Sequence, residues 1–420
     1  MAEKQQNKSL FFWALYDWGN SAFSAIIQTF VFAAYFTKHV AIDETIGSSQ
    51  WGLVNGISAL IVALAAPILG AIADHGKHRK LWIISFTYLC IITTALLWYV
   101  VPNPSSINLA LYLVSLGIIS SELAFVFYNA MLPSLAGPKR VGRWSGFGWS
   151  FGYAGGMACL VLALYAFIES DSPWMPLDRS TATDVRATFL LAAIWYFLFS
   201  LPMFLFTPDT SGKGKTVGIA LRDGMRELIQ TIKNIRCYGH IVRFLIARMF
   251  YVDGLTTLFA FGGIYAATKF GMNAQEILLF GIAMHVTAGI GAACFAMVDD
   301  YIGGKRLIII SLTGLIIPTT LLLFTNDPSL FWLLGLILGI FVGPVQAASR
   351  SFMARIAPKH LRNEMFGFFA LSGKATAFLG PLLIGWIIYL TGSQTAGMSI
   401  IIAFYAIGIL LMLTVPNVES

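Results

Sequence analysis

Asp17, Glu122, Arg248, Asp253 and Lys374 stand inside stretches that are otherwise apolar and long enough to cross a bilayer, and Arg350 stands near the end of another. A charge at the bilayer centre costs about 3 kcal/mol or more, so each of these groups needs a partner, a water-filled cavity or a proton. Two kinds of chemistry suit them. Acids and bases facing one cavity can hold a charged solute by charge-assisted hydrogen bonds. A carboxylate there can also take up a proton and release it as the cavity opens to one side and then the other. The plainer alternative is a set of structural ion pairs, for example Lys374 with Asp17. Around these charges the polar residues recur at helical spacing. Asp17, Ser21, Ser24 and Gln28 follow one another at four, three and four, with Tyr16 and Asn20 alongside. Ser115, Glu122 and Asn129 are seven apart, Tyr251 and Asp253 precede Thr256 and Thr257, and Gly339, Gly343, Gln346 and Arg350 run at four, three and four. Each set makes one polar stripe on an apolar helix, which turns toward a bundle interior.

The elements that position these stripes follow from composition. Of 420 residues, 57% are hydrophobic and only 11% charged, against about 25% charged in a soluble domain, which makes the chain a polytopic membrane protein. Strand-like alternation does not recur, so the spans are helices. About twenty apolar residues cross a bilayer, and twelve such segments are predicted at 10–37, 51–73, 81–101, 107–131, 144–168, 187–207, 241–268, 275–298, 306–325, 329–353, 364–390 and 396–415. The connections alternate in charge. Only Lys38, Arg179, Arg186 and Lys269 fall in odd-numbered connections, while the N-terminus and the even-numbered ones carry most of the Lys and Arg. The positive-inside rule then places both termini in the cytoplasm, and it explains the net charge of +7 without nucleic acid. The polar start Met1–Ser9 lacks a cleavage pattern, so the first span is expected to stay in the protein. Cys90, Cys159, Cys237 and Cys294 are scattered and suggest neither a disulfide framework nor a metal site. Trp13, Trp98, Tyr99, Trp144 and Trp332 sit near span ends, where aromatic residues anchor helices at the interface.

The longest connection divides the chain into residues 1–207, a linker at 208–240 and residues 241–420. Ser211-Gly212-Lys213-Gly214-Lys215 reads as flexible linker. Leu221, Met225, Leu228, Ile232 and Ile235 then recur at helical spacing, with Arg222, Arg226, Lys233 and Arg236 elsewhere on the wheel, an amphipathic helix expected on an anionic membrane surface. The two halves repeat each other. Gly70…Asp74…Lys77…Arg79-Lys80 is answered by Asp300…Lys305-Arg306, Pro138-Lys139-Arg140 by Pro358-Lys359-His360, and Tyr16-Asp17 by Tyr251 and Asp253. Such repeats predict two pseudo-symmetric six-helix halves.

Two six-helix halves with a G-x-x-x-D-x-x-x-x-R-K loop between the second and third helices resemble the major facilitator superfamily. His75 and His78 depart from its loop pattern. Closer still is a resemblance to the vacuole effluxer family, the autophagy-related amino-acid exporters and their bacterial relatives. It is carried by Tyr16-Asp17-Trp18-Gly19-Asn20-Ser21-Ala22-Phe23, by Leu132-Pro133 through Gly148-Trp149, and by Tyr251-Val252-Asp253-Gly254. Gln346-Ala347-Ala348-Ser349-Arg350-Ser351 and Ser372-Gly373-Lys374-Ala375 with Gly380-Pro381 complete it. The resemblance implies that the first, fourth, seventh and tenth spans line a central cavity, and these four carry the polar stripes. It also implies a small neutral amino acid as cargo and a bacterial plasma membrane as location.

The expected site is therefore Tyr16, Asp17, Asn20, Gln28, Glu122, Asn129, Tyr251, Asp253, Gln346, Arg350 and Lys374, binding a zwitterion or coupling protons. A gate is expected at Asp74, Arg79 and Lys80 and at Asp300, Lys305 and Arg306, each aspartate pairing with basic residues or sitting at a facing helix N-terminus. The expected partners are a small solute, protons and the lipid bilayer, with no cofactor, no nucleic acid and a monomeric state. No G-x-x-x-x-G-K-[ST] run is present, so a gradient rather than ATP hydrolysis is expected to drive the cycle. Three embedded acids against two bases keep efflux of another metabolite or a drug-like cation open, and a non-transporting receptor on the same fold is the reading from another class. No clustered His/Asp or Ser/His groups near one interface suggest an enzyme.

Overall fold

In the computed structural model, which describes residues 2–76, 78–168, 177, 181–209, 214 and 217–417, the chain is all-helical. Lys77, Arg179 and the Gly/Lys linker at 211–215, apart from Gly214, lie outside the described residues. The helices are α1 (Ala2–Ala22), α2 (Glu44–His75), α3 (Lys80–Leu96), α4 (Ile107–Ala136), α5 (Val141–Ala163), α6 (Thr183–Phe206), α7 (Val217–Lys233), α8 (Gly239–Phe270), α9 (Ala274–Ile302), α10 (Gly304–Phe324), α11 (Pro328–Ile356), α12 (Arg362–Ser372), α13 (Leu379–Thr391) and α14 (Ile400–Thr414). Ten helical segments among the described residues are long and apolar enough to cross a membrane: α2, Lys80–Tyr99 (which contains α3), α4 to α6, α8 to α11, and Gln394–Thr414 (which ends in α14). The chain is thus a multi-pass membrane protein.

The first and eleventh expected spans are interrupted helices. α1 passes at Phe23 into a π-helical segment, Phe23–Phe30, then a short α-helix, Phe32–Tyr35, and a second π-helical segment, Phe36–Val40. The wider π turn rotates Ser24 and Gln28 away from the α-helical register that aligns Asp17 with Ser21. The eleventh is split into α12 and α13 by turns over residues 373–378. The cause is local. Gly373 and Gly380 flank the break, and Pro381 has no N–H to donate to the Ala377 carbonyl.

Other ends have their own causes. Asn273 and Glu276 form a capping box at the start of α9, and Asp327 caps α11 ahead of Pro328. Gly271 ends α8 in the left-handed conformation, φ 67°. Several helices continue beyond their apolar windows, which brings Asp74, Asp299, Asp300 and Arg355 onto helical backbone.

Two compact units are formed. One comprises residues 1–62, 78–128 and 151–211, in which α1 and α3 pack against α6. The other comprises residues 63–77, 129–150 and 212–420. There α11 packs against α9 and α10, and α8 against α14. The second unit thereby includes one end each of α2, α4 and α5. It also holds α7, whose Ala220, Leu228 and Thr231 are buried while Leu221, Ile229 and Ile232 are exposed. A Cβ on Gly224 would lie 2.9 Å from the Ala71 backbone, and Glu227 lies 3.0 Å from His75 Nε2. The amphipathic helix is keyed onto α2 by one face rather than resting on lipid alone.

Candidate functional site

At the end of the second unit that carries the basic loops, each aspartate expected in a gate caps a helix. Asp74, 1% exposed, accepts from the Asn363 backbone N–H (3.3 Å), Asn363 Nδ2 (2.9 Å) and the Glu364 N–H (3.0 Å) at the start of α12. Its counterpart Asp300 accepts from the Gly142 N–H (2.8 Å) at the start of α5. A carboxylate there satisfies orphan backbone donors and meets the positive end of the helix dipole. Glycine makes the approach possible. A Cβ on Gly70 would lie 2.3 Å from the Asn363 carbonyl oxygen, and one on Gly367 2.5 Å from that of Ala66. In the second pair, a Cβ on Gly146 would lie 2.5 Å from the Ala296 Cβ.

Lys80 and Lys305, expected with the gate aspartates, instead donate to the Thr207 and Val415 carbonyls, just past the ends of α6 and α14. A cation suits a helix C-terminus. Arg79 is half-buried and Arg306 exposed. Asp299 and Arg355, which the sequence motifs do not single out, join the same cluster. Arg355 Nη1 donates to Asp299 (2.6 Å) and Nη2 to Asp300 (3.3 Å), while the Ser351 hydroxyl donates to Asp299. Arg355 lies five residues beyond Arg350 on the same helix, which was the only available signal.

Of the expected binding residues, the first unit holds Tyr16, Asp17, Asn20, Gln28 and Glu122. The Asp17 carboxylate, 4% exposed, accepts from the Tyr128 hydroxyl (3.1 Å), and Asn20 Oδ1 from Ser121 (3.1 Å). Tyr128 stacks on Trp13 at 4.4 Å and on Tyr16 at 4.9 Å. Trp13, expected at the membrane interface, is fully buried and donates its indole N–H to the Tyr128 carbonyl, because this aromatic wall surrounds it. Gly152 lets α5 come against the stripe, since a Cβ there would lie 2.8 Å from Ser21 Oγ and 3.4 Å from Asp17 Oδ1. Gln28 and Glu122 are half-buried. Tyr16 is fully buried and shares 2.7 Å hydrogen bonds with Thr87 and Tyr196. We expect Tyr16→Phe to lower stability by about 1–2 kcal/mol, read as thermal unfolding of the purified protein. An unchanged transition would show that this hydroxyl chain carries no weight.

The second unit holds Asn129, Tyr251, Asp253, Gln346, Arg350 and Lys374. Arg350, 1% exposed, donates to Asn129 Oδ1 (3.1 Å), Ser145 Oγ (3.0 Å) and the Ser145 carbonyl (2.7 Å), and lies 5.6 Å from the Trp149 ring centre. It ties α11 to α4 and α5. Tyr251 bonds Ser349 at 2.7 Å, as Tyr16 bonds its own neighbours. Gln346 and Lys374 are half-buried, and Lys374 stands on the break between α12 and α13. Arg248 donates to the Phe369 carbonyl (2.6 Å) and Ser372 Oγ (2.8 Å) at the end of α12, with its guanidinium 3.5 Å from the Phe369 ring centre. A Cβ on Gly373 would lie 2.9 Å from Arg248 Nη1, so glycine leaves room for this cap. Asp253 faces the Thr376 hydroxyl on the break.

A family described as "Vacuole effluxer Atg22 like" matches residues 37–420. The chain is 29% identical to the uncharacterized MFS-type transporter YxiO of Bacillus subtilis, over 99% of this chain and 96% of that protein. It is 23% identical to autophagy-related protein 22-1 of Phaeosphaeria nodorum, over 89% and 76% respectively. Among solved structures, the proton:xylose symporter XylE superposes with a TM-score of 0.75 at 17% identity, covering 99% of this chain and 97% of that one. The human organic anion transporter MFSD10 gives 0.74 at 13% identity, covering 97% and 99%. These structures share the major facilitator fold with the chain.

Proposed function

The chain belongs to the vacuole effluxer Atg22-like family, and from that premise we propose that this major facilitator transporter moves small neutral amino acids by alternating access, in the direction of export. Twelve crossings in two six-helix halves, residues 1–207 and 241–420 with the linker at 208–240 between them, put both termini in the cytoplasm of a bacterial cell whose inner membrane holds the protein as a monomer. The observation that carries the reading is the paired gate. Buried Asp74 and half-buried Asp300 cap two helix starts at equivalent places in the repeat, beside glycines where a Cβ would collide with the facing helix. Such a closure is built to be made and broken as a unit, and a cargo acts on it through its different affinity for the open and closed states.

For the cargo itself, the embedded groups offer both signs of charge. Lys374 suits a carboxylate, and Asp17, Glu122 and Asp253 suit an ammonium group. Arg350 is engaged by Asn129 and Ser145 and serves as a strut, and Lys374 stands on the break between α12 and α13. Proton exchange at Asp17 or Glu122 would couple the cycle to the proton gradient. Proteoliposomes loaded with a panel of neutral amino acids, with and without a pH gradient, test this. We expect uptake or counterflow of at least one of them, reduced 10-fold or more by Asp17→Asn and by Lys374→Ala. Wild-type rates in both variants would remove the site assignment, and a folded protein that moved none of the panel would remove the cargo.

A further inference from the structure

The break in the eleventh span exposes an unused set of oxygen atoms. Asp253 is 2% and Thr257 1% exposed, yet Asp253 Oδ1, Thr257 Oγ1 and Thr376 Oγ1 are buried and close no hydrogen bond among the described residues. They lie on one seam. Asp253 and Thr257 are one turn apart on α8. Thr376 faces Asp253, and four residues on, a Cβ at Gly380 would lie 1.8 Å from Thr257 Oγ1. The backbone adds more acceptors. Across the break, Gly373 N–H bonds Ala370, Lys374 and Ala375 N–H bond Leu371, Ala377 N–H bonds Lys374 and Leu379 N–H bonds Thr376. The carbonyls of Ser372, Gly373 and Ala375 accept no backbone hydrogen bond among the described residues. Carbonyls and a carboxylate within a membrane span need partners, because no bulk water supplies them.

We propose that Asp253, Thr257, Thr376 and carbonyls of the α12–α13 break bind a monovalent cation, Na+. The proposal rests on the transport reading only in making Na+ a coupling ion beside the proton, and it leaves the cargo ammonium to Asp17 and Glu122. The donor set is all oxygen with one carboxylate, so its charge matches one positive charge. Divalent ions recruit more carboxylates or retain waters, and softer metals want His or Cys, which the cluster lacks. A proton on Asp253 supplies a single donor, which at most one of the hydroxyl oxygens can accept, whereas a cation is shared by every oxygen of the set. The neighbouring bases are not its counter-charge. Arg248 caps the end of α12, and no ion pair to Asp253 is present among the described residues. Because ligands come from α8 and from both sides of the break, the ion would hold α12 and α13 in their present relation.

The test needs no cargo. Thermal unfolding of the purified full chain in detergent is compared in NaCl, KCl and choline chloride at equal ionic strength. For a Kd of about 10 mM, about 100 mM Na+ multiplies the folded-to-unfolded ratio roughly 11-fold, which raises the transition temperature. We expect that rise in Na+ alone, its loss in Asp253→Asn and Thr257→Val, and its survival in Thr257→Ser. If Thr257→Val does not fold, Thr376→Val replaces it. Equal transitions in Na+ and choline, an equal rise in K+, or a Na+ shift that persists in both Asp253→Asn and the valine variant would overturn the proposal. A failure of amino-acid transport would remove the cargo and leave this result unaffected.

Discussion

Replacing Asp74 by Ala is expected to shift the gate toward its open state by about 100-fold. The carboxylate accepts three hydrogen bonds from buried donors at the start of α12. Without it, two backbone N–H groups and the Asn363 amide lose their acceptor, at about 1–3 kcal/mol for each one left unpaired. Water can repair these bonds when the end is open but not when it is shut, so most of the loss falls on the closed state. A differential of about 3 kcal/mol gives the expected ratio. Asp74→Asn keeps an acceptor and loses the charge, and should shift the equilibrium by about 10-fold. Hydrogen exchange of the first-turn amides of α12 is the direct readout. Those amides should exchange faster in Asp74→Ala with cargo affinity for the open state unchanged. Exchange at the wild-type rate would show that the aspartate does not hold the gate. Asp300→Ala should produce the same signature at Gly142, with a smaller amplitude because Asp299 retains Arg355.

The second large effect is expected at Arg350. It is a buried cation whose nitrogens serve Asn129 and Ser145, with its plane near Trp149. Arg350→Ala strands these acceptors and opens a cavity, and we expect a loss of about 3 kcal/mol or more. Lysine at this position should recover less than half, because a point charge cannot address Asn129, Ser145 Oγ and the Ser145 carbonyl as a planar fork does. Thermal unfolding of both variants measures this. If Arg350→Ala melted like wild type and lost only cargo binding, the residue would be a cargo ligand and not a strut.

Much of the architecture was legible because a bilayer punishes misplaced polarity. The apolar windows coincide with ten helical segments long enough to cross, and the repeated Asp-to-basic spacing marked the two aspartates that cap helix starts. What the windows could not show is where helices outlast their apolar stretch. α9 continues through Asp299-Asp300 and α11 through Arg355, so residues that read as loop are side chains on rigid backbone. The break in the eleventh span had a signal in Gly373 and Gly380-Pro381, but the surrounding residues are apolar enough to read as one continuous helix. Lys80 and Lys305 illustrate a different limit. Their spacing from Asp74 and Asp300 suggested ion pairs, whereas carbonyls at the ends of α6 and α14, far away in sequence, receive them. Asn363 and Glu364 carry no mark of the aspartate that caps them, because the bond runs mainly to backbone.

The burial of the gate has a consequence for how the transporter responds to its surroundings. Dissolved ions screen charges that face water, over about 8 Å at physiological ionic strength, and act far less on groups withdrawn from it. Asp74 is withdrawn in this way, and beside it the Gly70 and Gly367 contacts are backbone against backbone with no mobile charge at all. A rise in salt would therefore leave these contacts at nearly full strength. Exposed ion pairs such as Arg222 with Asp223 would fade. Rising salt would thus spare the helix-start contacts around Asp74 and weaken the exposed charge pairs first.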